Sequence, residues 1–192
     1  MSDFKESDHP RDEDGKFSGS GSSGSSAATQ KKSTKITRTE KNALEWYSEQ
    51  GFHEINSRLR SGEESSTSKA IDAAIGKSEL GKPMSLYRGI TREAFRNMMN
   101  GQQPKLGDVF EDKGFISTST DYGVARSAGS GGVTLKINTS TGQHGIDMKD
   151  ISSNKDEKEI LLPRGQKLKI VGYTKPNAEK GIYWPIIHVE AI

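Results

Sequence analysis

Glu159-Ile160-Leu161-Leu162-Pro163-Arg164-Gly165-Gln166-Lys167-Leu168-Lys169-Ile170-Val171 reads as two short strands, residues 159–162 and 167–171, closed by a Pro-Arg-Gly-Gln turn. Proline presets the backbone for a turn and glycine removes the side chain a turn disfavours, so a hairpin is expected there. Moving outward, β-rich runs bounded by Gly, Pro or Ser occur at 85–87, 115–118, 133–137 and 182–189. Ahead of most of these the periodicity is helical. Thr37 followed by Glu40 has the form of a capping box, and Ala43, Leu44, Trp46 and Tyr47 recur at helical spacing. Gly51 is expected to break this helix before a second one over 52–59. Residues 65–75 and 91–99 are further helix candidates, the latter capped by Thr91. Helices first and strands later, without β-α-β alternation, predict an α+β domain rather than a doubly wound sheet.

The composition places that domain at 37–192. The chain has 192 residues, and residues 1–36 hold few apolar side chains beyond Met1, Phe4, Phe17, Ala27 and Ala28. The run Ser18-Gly19-Ser20-Gly21-Ser22-Ser23-Gly24-Ser25-Ser26 has linker composition, and 1–36 is therefore expected to be a disordered leader. Gly19-x-Gly21-x-x-Gly24 satisfies the letters of a dinucleotide fingerprint, but Ser-rich linker stands where the strand and helix should be, which excludes that reading. A net charge of +2 argues against nucleic acid as the main partner. With no cysteine there is no disulfide, thiolate metal site or cysteine nucleophile. No run approaches the ~18 apolar residues of a membrane span, and the first residues lack the apolar core of a signal peptide. His9, His53, His144 and His188 are too scattered for a metal motif.

Four short constellations could carry chemistry. Leu86-Tyr87-Arg88-Gly89 sets a permanently charged fork at a strand end, with a glycine that admits close backbone approach. In Gly114-Phe115-Ile116-Ser117-Thr118-Ser119, alternation puts Ser117 and Ser119 on one strand face. Glu157 and Glu159 would point the same way, about 7 Å apart, if their strand is extended, which suits a cation or a cationic transition state. Asn56 and Arg60 are i,i+4 neighbours on one helix face. Each alone is as well explained by solvated surface or ordinary strand residues.

Their order in the chain is more specific. Asn-x-x-x-Arg, Tyr-Arg-Gly, Phe-x-Ser-Thr-Ser and Glu-x-Glu before Leu-Leu-Pro resemble, in sequence, the Arg–Ser–Glu group of mono-ADP-ribosyltransferases, which includes binary toxins, clostridial exoenzymes and phage-encoded transferases. The resemblance implies an α+β fold of two packed, roughly perpendicular β-sheets, flanked by N-terminal helices, with an NAD cleft between them. It implies that Arg88 holds an NAD phosphate, that Gly89 meets the nicotinamide amide, and that Asn56 and Arg60 face the pyrophosphate. Phe115 and Ser117 belong to the nicotinamide pocket, with Ser117 orienting Glu159 as catalytic glutamate. Arg126 falls, with Tyr122, in the family's phosphate–nicotinamide loop, and 148–156, opened by Met148 and closed by Asp156, is the acceptor-recognition loop.

In such a reaction the nicotinamide–ribose bond breaks through an oxocarbenium-like cation, as in glycoside cleavage. An ionised Glu159 would stabilise it; two unit charges about 4 Å apart interact by roughly 4 kcal/mol at an effective dielectric near 20. Family members with Glu at position 157 generally modify arginine, so protein arginine is the expected acceptor. NAD is then consumed as a substrate, with no metal or further cofactor. The rival expectations are an NAD glycohydrolase, a secreted toxin subunit, and a head-associated binding module that keeps the fold without turnover. The leader segment His9-Pro10-Arg11-Asp12-Glu13-Asp14-Gly15-Lys16-Phe17 resembles segments of tailed-phage head-associated proteins, which implies a phage enzyme, carried in the virion or acting in the host cytoplasm, on host proteins.

Overall fold

The computed structural model describes residues 35–129 and 132–192. The expected leader lies, apart from Lys35 and Ile36, outside the described residues, and so do the Gly19–Gly24 pattern and the segment from His9 to Phe17. Ile36 packs against the helical core just ahead of the expected boundary.

The helical layer begins as its caps require. Thr37 Oγ1 accepts the Glu40 N–H at 3.3 Å, and Glu40 accepts the Thr37 N–H at 2.8 Å, opening α1 (Arg38–Trp46). Lys77 Nζ donates to both Glu40 oxygens at 2.7 and 2.9 Å, tying this start to the chain beyond α3 (Ser66–Ile75). Gly51 does not break the helix. The chain widens into a π turn, Tyr47–Gly51, and runs on as α2 (Phe52–Arg60). Its physical reason lies in Trp46, whose ring crosses Gly51 where a β-carbon would overlap it. The glycine admits the ring. Ala43, Leu44, Tyr47, Ile55 and Leu59 bury one stripe against Ile71, Ala74 and Ile75 of α3. Full burial of a side chain such as Leu44 contributes about 1.5–3 kcal/mol.

The sheet comprises β1 (Ser85–Ile90), β2 (Val109–Asp112), β3 (Ile116–Ser119), β4 (Val133–Asn138), β5 (Ile146–Asp147), β6 (Glu159–Leu162), β7 (Gln166–Thr174) and β8 (Ile186–Ala191). Their order is β2-β7-β8-β4-β1-β3-β6-β5, antiparallel except for β4 beside β8. The ladder is continuous, but a single residue pair, Tyr87 opposite Ser119, joins β1 to β3. This seam divides the sheet into five strands and three. Leu86, Leu135, Ile170 and Val189 of the larger part share one core with Ile116, Ile160 and Leu162 of the smaller. On its other face the smaller part buries Leu161 and Ile146, with Phe115 just ahead of β3, against the helices. The three-stranded part thus lies between the larger sheet and the helical layer. This is the expected α+β class with N-terminal helices, but in place of two separate sheets the strands form one continuous eight-stranded sheet, because the Tyr87–Ser119 pair joins its two parts.

Two further helices follow strands. Thr91 caps α4 (Arg92–Met98) as expected, its Oγ1 accepting the Ala94 N–H at 3.1 Å. Asp121 caps α5 (Tyr122–Ala128), which has no counterpart in the sequence expectation. The final strand starts at Ile186, four residues later than expected, because 182–185 sit in a turn bridged to Asn177. Among the described residues no helix is long and apolar enough to cross a membrane.

Candidate active site

An open cleft of about 1570 Å³ is walled by α2, β1, β2, β3 and the turn before β6. One wall carries two guanidinium groups. Arg60, on α2, donates from Nε and Nη2 to the two oxygens of Asp112 at 2.9 and 2.7 Å. Arg88, on β1, donates to Asp112 Oδ2 and to the Ser117 carbonyl, both at 3.2 Å. Asp112 is almost wholly buried and also accepts the Gly114 N–H at 2.9 Å. One carboxylate therefore orients two arginines, leaving a net positive charge. Burial pushes the Arg88 guanidinium below its ordinary value, with the Asp112 charge opposing, and its Nε is buried with no hydrogen-bond partner.

The other wall carries the paired glutamates. Glu159 opens β6 and is 7% exposed. Burial holds its carboxyl above the usual value and the Glu157 charge adds to this, while the nearby Ser117 hydroxyl, the Ser48 hydrogen bond and the charge of Arg88 pull it down. Glu157 lies outside the strand, so the condition for the extended spacing of the two glutamates is not met. It closes a 3₁₀ turn, Lys155–Glu157, and Lys158 follows in the left-handed region at φ 46°. That conformation costs a non-glycine residue roughly 1–2 kcal/mol. Neighbours pin it: Ser119 Oγ donates to the Glu157 carbonyl at 2.7 Å, the Thr120 N–H to the Lys158 carbonyl at 3.3 Å, and Lys158 Nζ pairs with Asp121 at 3.1 Å. Strain held by several contacts is characteristic of functional turns. Here it sets Glu157 and Glu159 on one wall without an extended strand between them.

Several expected site residues have other duties. Asn56 is buried and donates to Tyr47 Oη at 2.9 Å and to the Phe115 carbonyl at 3.3 Å, while its Oδ1 accepts the Phe115 N–H at 2.8 Å. It pins the chain entering β3 and lines the cleft. Phe115 itself is fully buried, edge-on to Tyr47, and does not line the cleft. It shares the helix-facing side of β3 with Ser117 but lies deeper under the helical layer. Gly89 lines the cleft, yet its missing side chain is demanded by α5, since a β-carbon there would overlap the Ala125 carbonyl. Arg126 sits on α5, rather than a loop, with its guanidinium 5.2 Å from the Tyr183 ring centre and outside the cleft lining. In the loop 148–156, Met148 and Ser152 are buried, while Asn154 and Asp156 reach the cleft.

Sequence reasoning missed Asp112, Tyr47 as a site residue, and Ser48. Tyr47 Oη lies 3.4 Å from Ser117 Oγ, and Ser48 Oγ donates to Glu159 at 3.3 Å. Alternation of buried Phe110 and Asp112 was the signal available for the first. Among the described residues no group of three potential metal ligands occurs.

Residues 24–184 match the family model of the ADP-ribosyltransferase exoenzymes. The chain belongs to this family. It is 36% identical over 137 residues to exoenzyme T of Pseudomonas aeruginosa, covering 67% of this chain and 28% of that protein. It is 34% identical over 134 residues to a Mycobacterium avium protein with the provisional name NAD(+)–arginine ADP-ribosyltransferase Mav, covering 69% of this chain and 16% of that one. The chain thus spans under a third of these relatives. Among solved structures, exoenzyme S of P. aeruginosa, in complex with human 14-3-3 protein beta and bound to carba-NAD, superposes with a TM-score of 0.65 at 26% identity, over 81% of this chain and 74% of that one. The fold is accordingly that of the exoenzyme transferases.

Proposed function

We propose that the chain transfers ADP-ribose from NAD to an arginine side chain of a protein. The observation that carries this reading is the polarity of the cleft, with a guanidinium pair on one wall and a carboxylate pair on the other. NAD has the matching polarity, an anionic pyrophosphate and a cationic nicotinamide ring on its ribose. Arg60 and Arg88 hold the pyrophosphate, fixing the substrate so that the reacting bond is in place. Glu159, ionised, faces the ribose and stabilises the positive charge that develops as the C1′–N bond lengthens. Nicotinamide leaves as a neutral molecule with the electron pair of that bond. A nitrogen of the acceptor guanidinium then bonds to C1′, and its proton passes to Glu157.

Arginine is a poor nucleophile while charged, because its pKa lies above 12. Glu157 answers this need: it is half-buried at the rim, with one oxygen accepting from Asn154 Nδ2 at 2.7 Å and the other free to pair with an incoming guanidinium. The name of the M. avium relative supports arginine as acceptor. The test is incubation with labelled NAD and cell lysate, beside Glu157→Ala and Glu159→Ala. Label on discrete proteins should map to arginine and vanish in both variants, while nicotinamide release persists only in Glu157→Ala. Nicotinamide release with no labelled protein in bacterial or eukaryotic lysate would replace this reading by a glycohydrolase. Labelling confined to bacterial lysate would support a phage-borne modifier, and labelling confined to eukaryotic lysate a toxin subunit.

A further inference from the structure

We propose that Ser48 is a positioning residue through which the acceptor loop acts on the Glu159 carboxylate. The inference rests on the transferase reading of the two glutamates. Ser48 lies in the π turn Tyr47–Gly51, the kind of insertion that recurs at functional sites because it re-aims side chains. Its hydroxyl makes two contacts, with Ser152 Oγ at 2.8 Å and with Glu159 Oε2 at 3.3 Å. Ser152 lies 104 residues away along the chain, buried in the loop 148–156.

The connection continues beyond Ser152. Its Oγ accepts the Asn154 N–H at 3.1 Å, and Asn154 Nδ2 donates to Glu157 Oε1 at 2.7 Å. Hydrogen bonds therefore run from the Asn154 N–H through Ser152 and Ser48 to Glu159, and the Asn154 side chain separately holds Glu157, so one loop residue touches both routes. Hydrogen bonds in such a chain polarise one another in a low-dielectric setting. The Ser48 hydroxyl carries one proton for two acceptors, so any displacement of Ser152 alters what Glu159 receives. The groups around the Glu159 carboxylate are Ser48 from the π turn, Ser117 from β3, Arg88 from β1 and Glu157 from the preceding turn. Of these, Glu157 and Ser48 both bond the loop through their side chains, and Ser48 alone joins the loop and the Glu159 carboxylate through one hydroxyl. Acceptor docking that moves the loop then reaches the reacting centre by a defined route.

The test is a double-mutant cycle on the full chain with Ser48→Ala, Ser152→Ala and both together, measuring steady-state nicotinamide release from NAD. Loss of one hydrogen bond to a charged group slows the step by about tenfold, so Ser48→Ala should lower kcat by that order with KM for NAD within about twofold. Ser152→Ala should have a smaller effect, and the double variant should be no slower than Ser48→Ala, because Ser152 acts through Ser48. Ser48→Thr, which keeps the hydroxyl, should restore most of the rate. A second readout needs no NAD: in carbon-13 titration of the labelled carboxyls, assigned with Glu159→Gln, the Glu159 midpoint should move to higher pH in Ser48→Ala. Effects of the two serines that multiply, or an unmoved Glu159 midpoint, would overturn the proposal. If the wild type releases no nicotinamide, the transferase reading falls, and the titration still decides whether Ser48 governs Glu159. Should Ser48→Ala fail to fold, Ser152→Ala carries the titration: with the Ser48 proton left to Glu159 alone, the midpoint should move to lower pH, and an unmoved midpoint would overturn the proposal.

Discussion

Replacing Asp112 by Asn keeps shape and volume while removing the charge that holds two arginines. The carboxylate receives four donors: two from Arg60, one from Arg88 and the Gly114 N–H. Asparagine retains one acceptor oxygen and introduces an NH₂ group. In either flip that NH₂ faces two donors, either both arginine Nη2 groups or Arg60 Nε with the Gly114 N–H. Breaking a buried ion pair by removing one partner costs about 3–5 kcal/mol. The Arg60 side chain is 46% exposed and keeps part of its hydration, whereas that of Arg88 is only 13% exposed. The lower end of the range is therefore expected, about 3 kcal/mol, most of it from Arg88. Urea denaturation followed by circular dichroism should show the midpoint falling with an unchanged m-value. The same variant should bind NAD more weakly despite its more positive cleft, because the two forks are no longer aligned. A stability loss under about 1 kcal/mol with unchanged NAD affinity would refute the view that Asp112 organises the cationic wall.

Glu159→Gln should reduce nicotinamide release on the order of a thousandfold, the loss of one roughly 4 kcal/mol charge interaction, measured by single-turnover kinetics. The same variant should be more stable than wild type near pH 7. Burial and Glu157 raise the folded-state pKa of Glu159, so its proton favours folding below about pH 4.5, and that contribution is lost as pH rises through the folded value. Thermal melts at pH 7 and pH 4 should therefore differ, with the gain in Tm present at the first and absent at the second. The acid limb of kcat/KM against pH, which reports the free protein, should lie above the ordinary glutamate value, since the reactive form is the anion. Gly89→Ala should cost about 3 kcal/mol or more, because α5 must shift off β1, and a melt unchanged from wild type would show that α5 yields freely.

The local signals in the sequence were strongest where neighbours decide structure. Thr37 with Glu40 and Thr91 each announce a helix start, and the strand flanked by Glu159 and Pro163 is bounded by its own residues. Gly51 was legible as a special position but not as the floor under Trp46, since a glycine that admits a ring and one that ends a helix look alike. Gly89 likewise answers to a helix 36 residues on, which no pattern around Tyr87 and Arg88 announces. Arg88, Arg60, Glu157 and Glu159 stood out through chemistry and order. Asp112 did not, because its partners lie 52 and 24 residues away and a lone acidic residue in a short strand ordinarily faces solvent. Ser48 and Ser152 carried no signal at all. Their pairing exists only once the π turn and the loop 148–156 meet.

The single rung between β1 and β3 has a mechanical side. Arg88 stands on the five-stranded part and Glu159 on the three-stranded part, so the groups proposed to hold phosphate and face the ribose lie across a joint. One backbone pair crosses it, so the reach from one group to the other is set by the core the two parts share and by side chains that span the seam. The Arg88 bond to the Ser117 carbonyl spans that joint and braces it as a strut braces a hinge. A lysine there would keep the positive charge but lose the planar fork that meets Ser117 and Asp112 together. The clearance between the two halves of the cleft is thus held by the same side chain proposed to hold the phosphate.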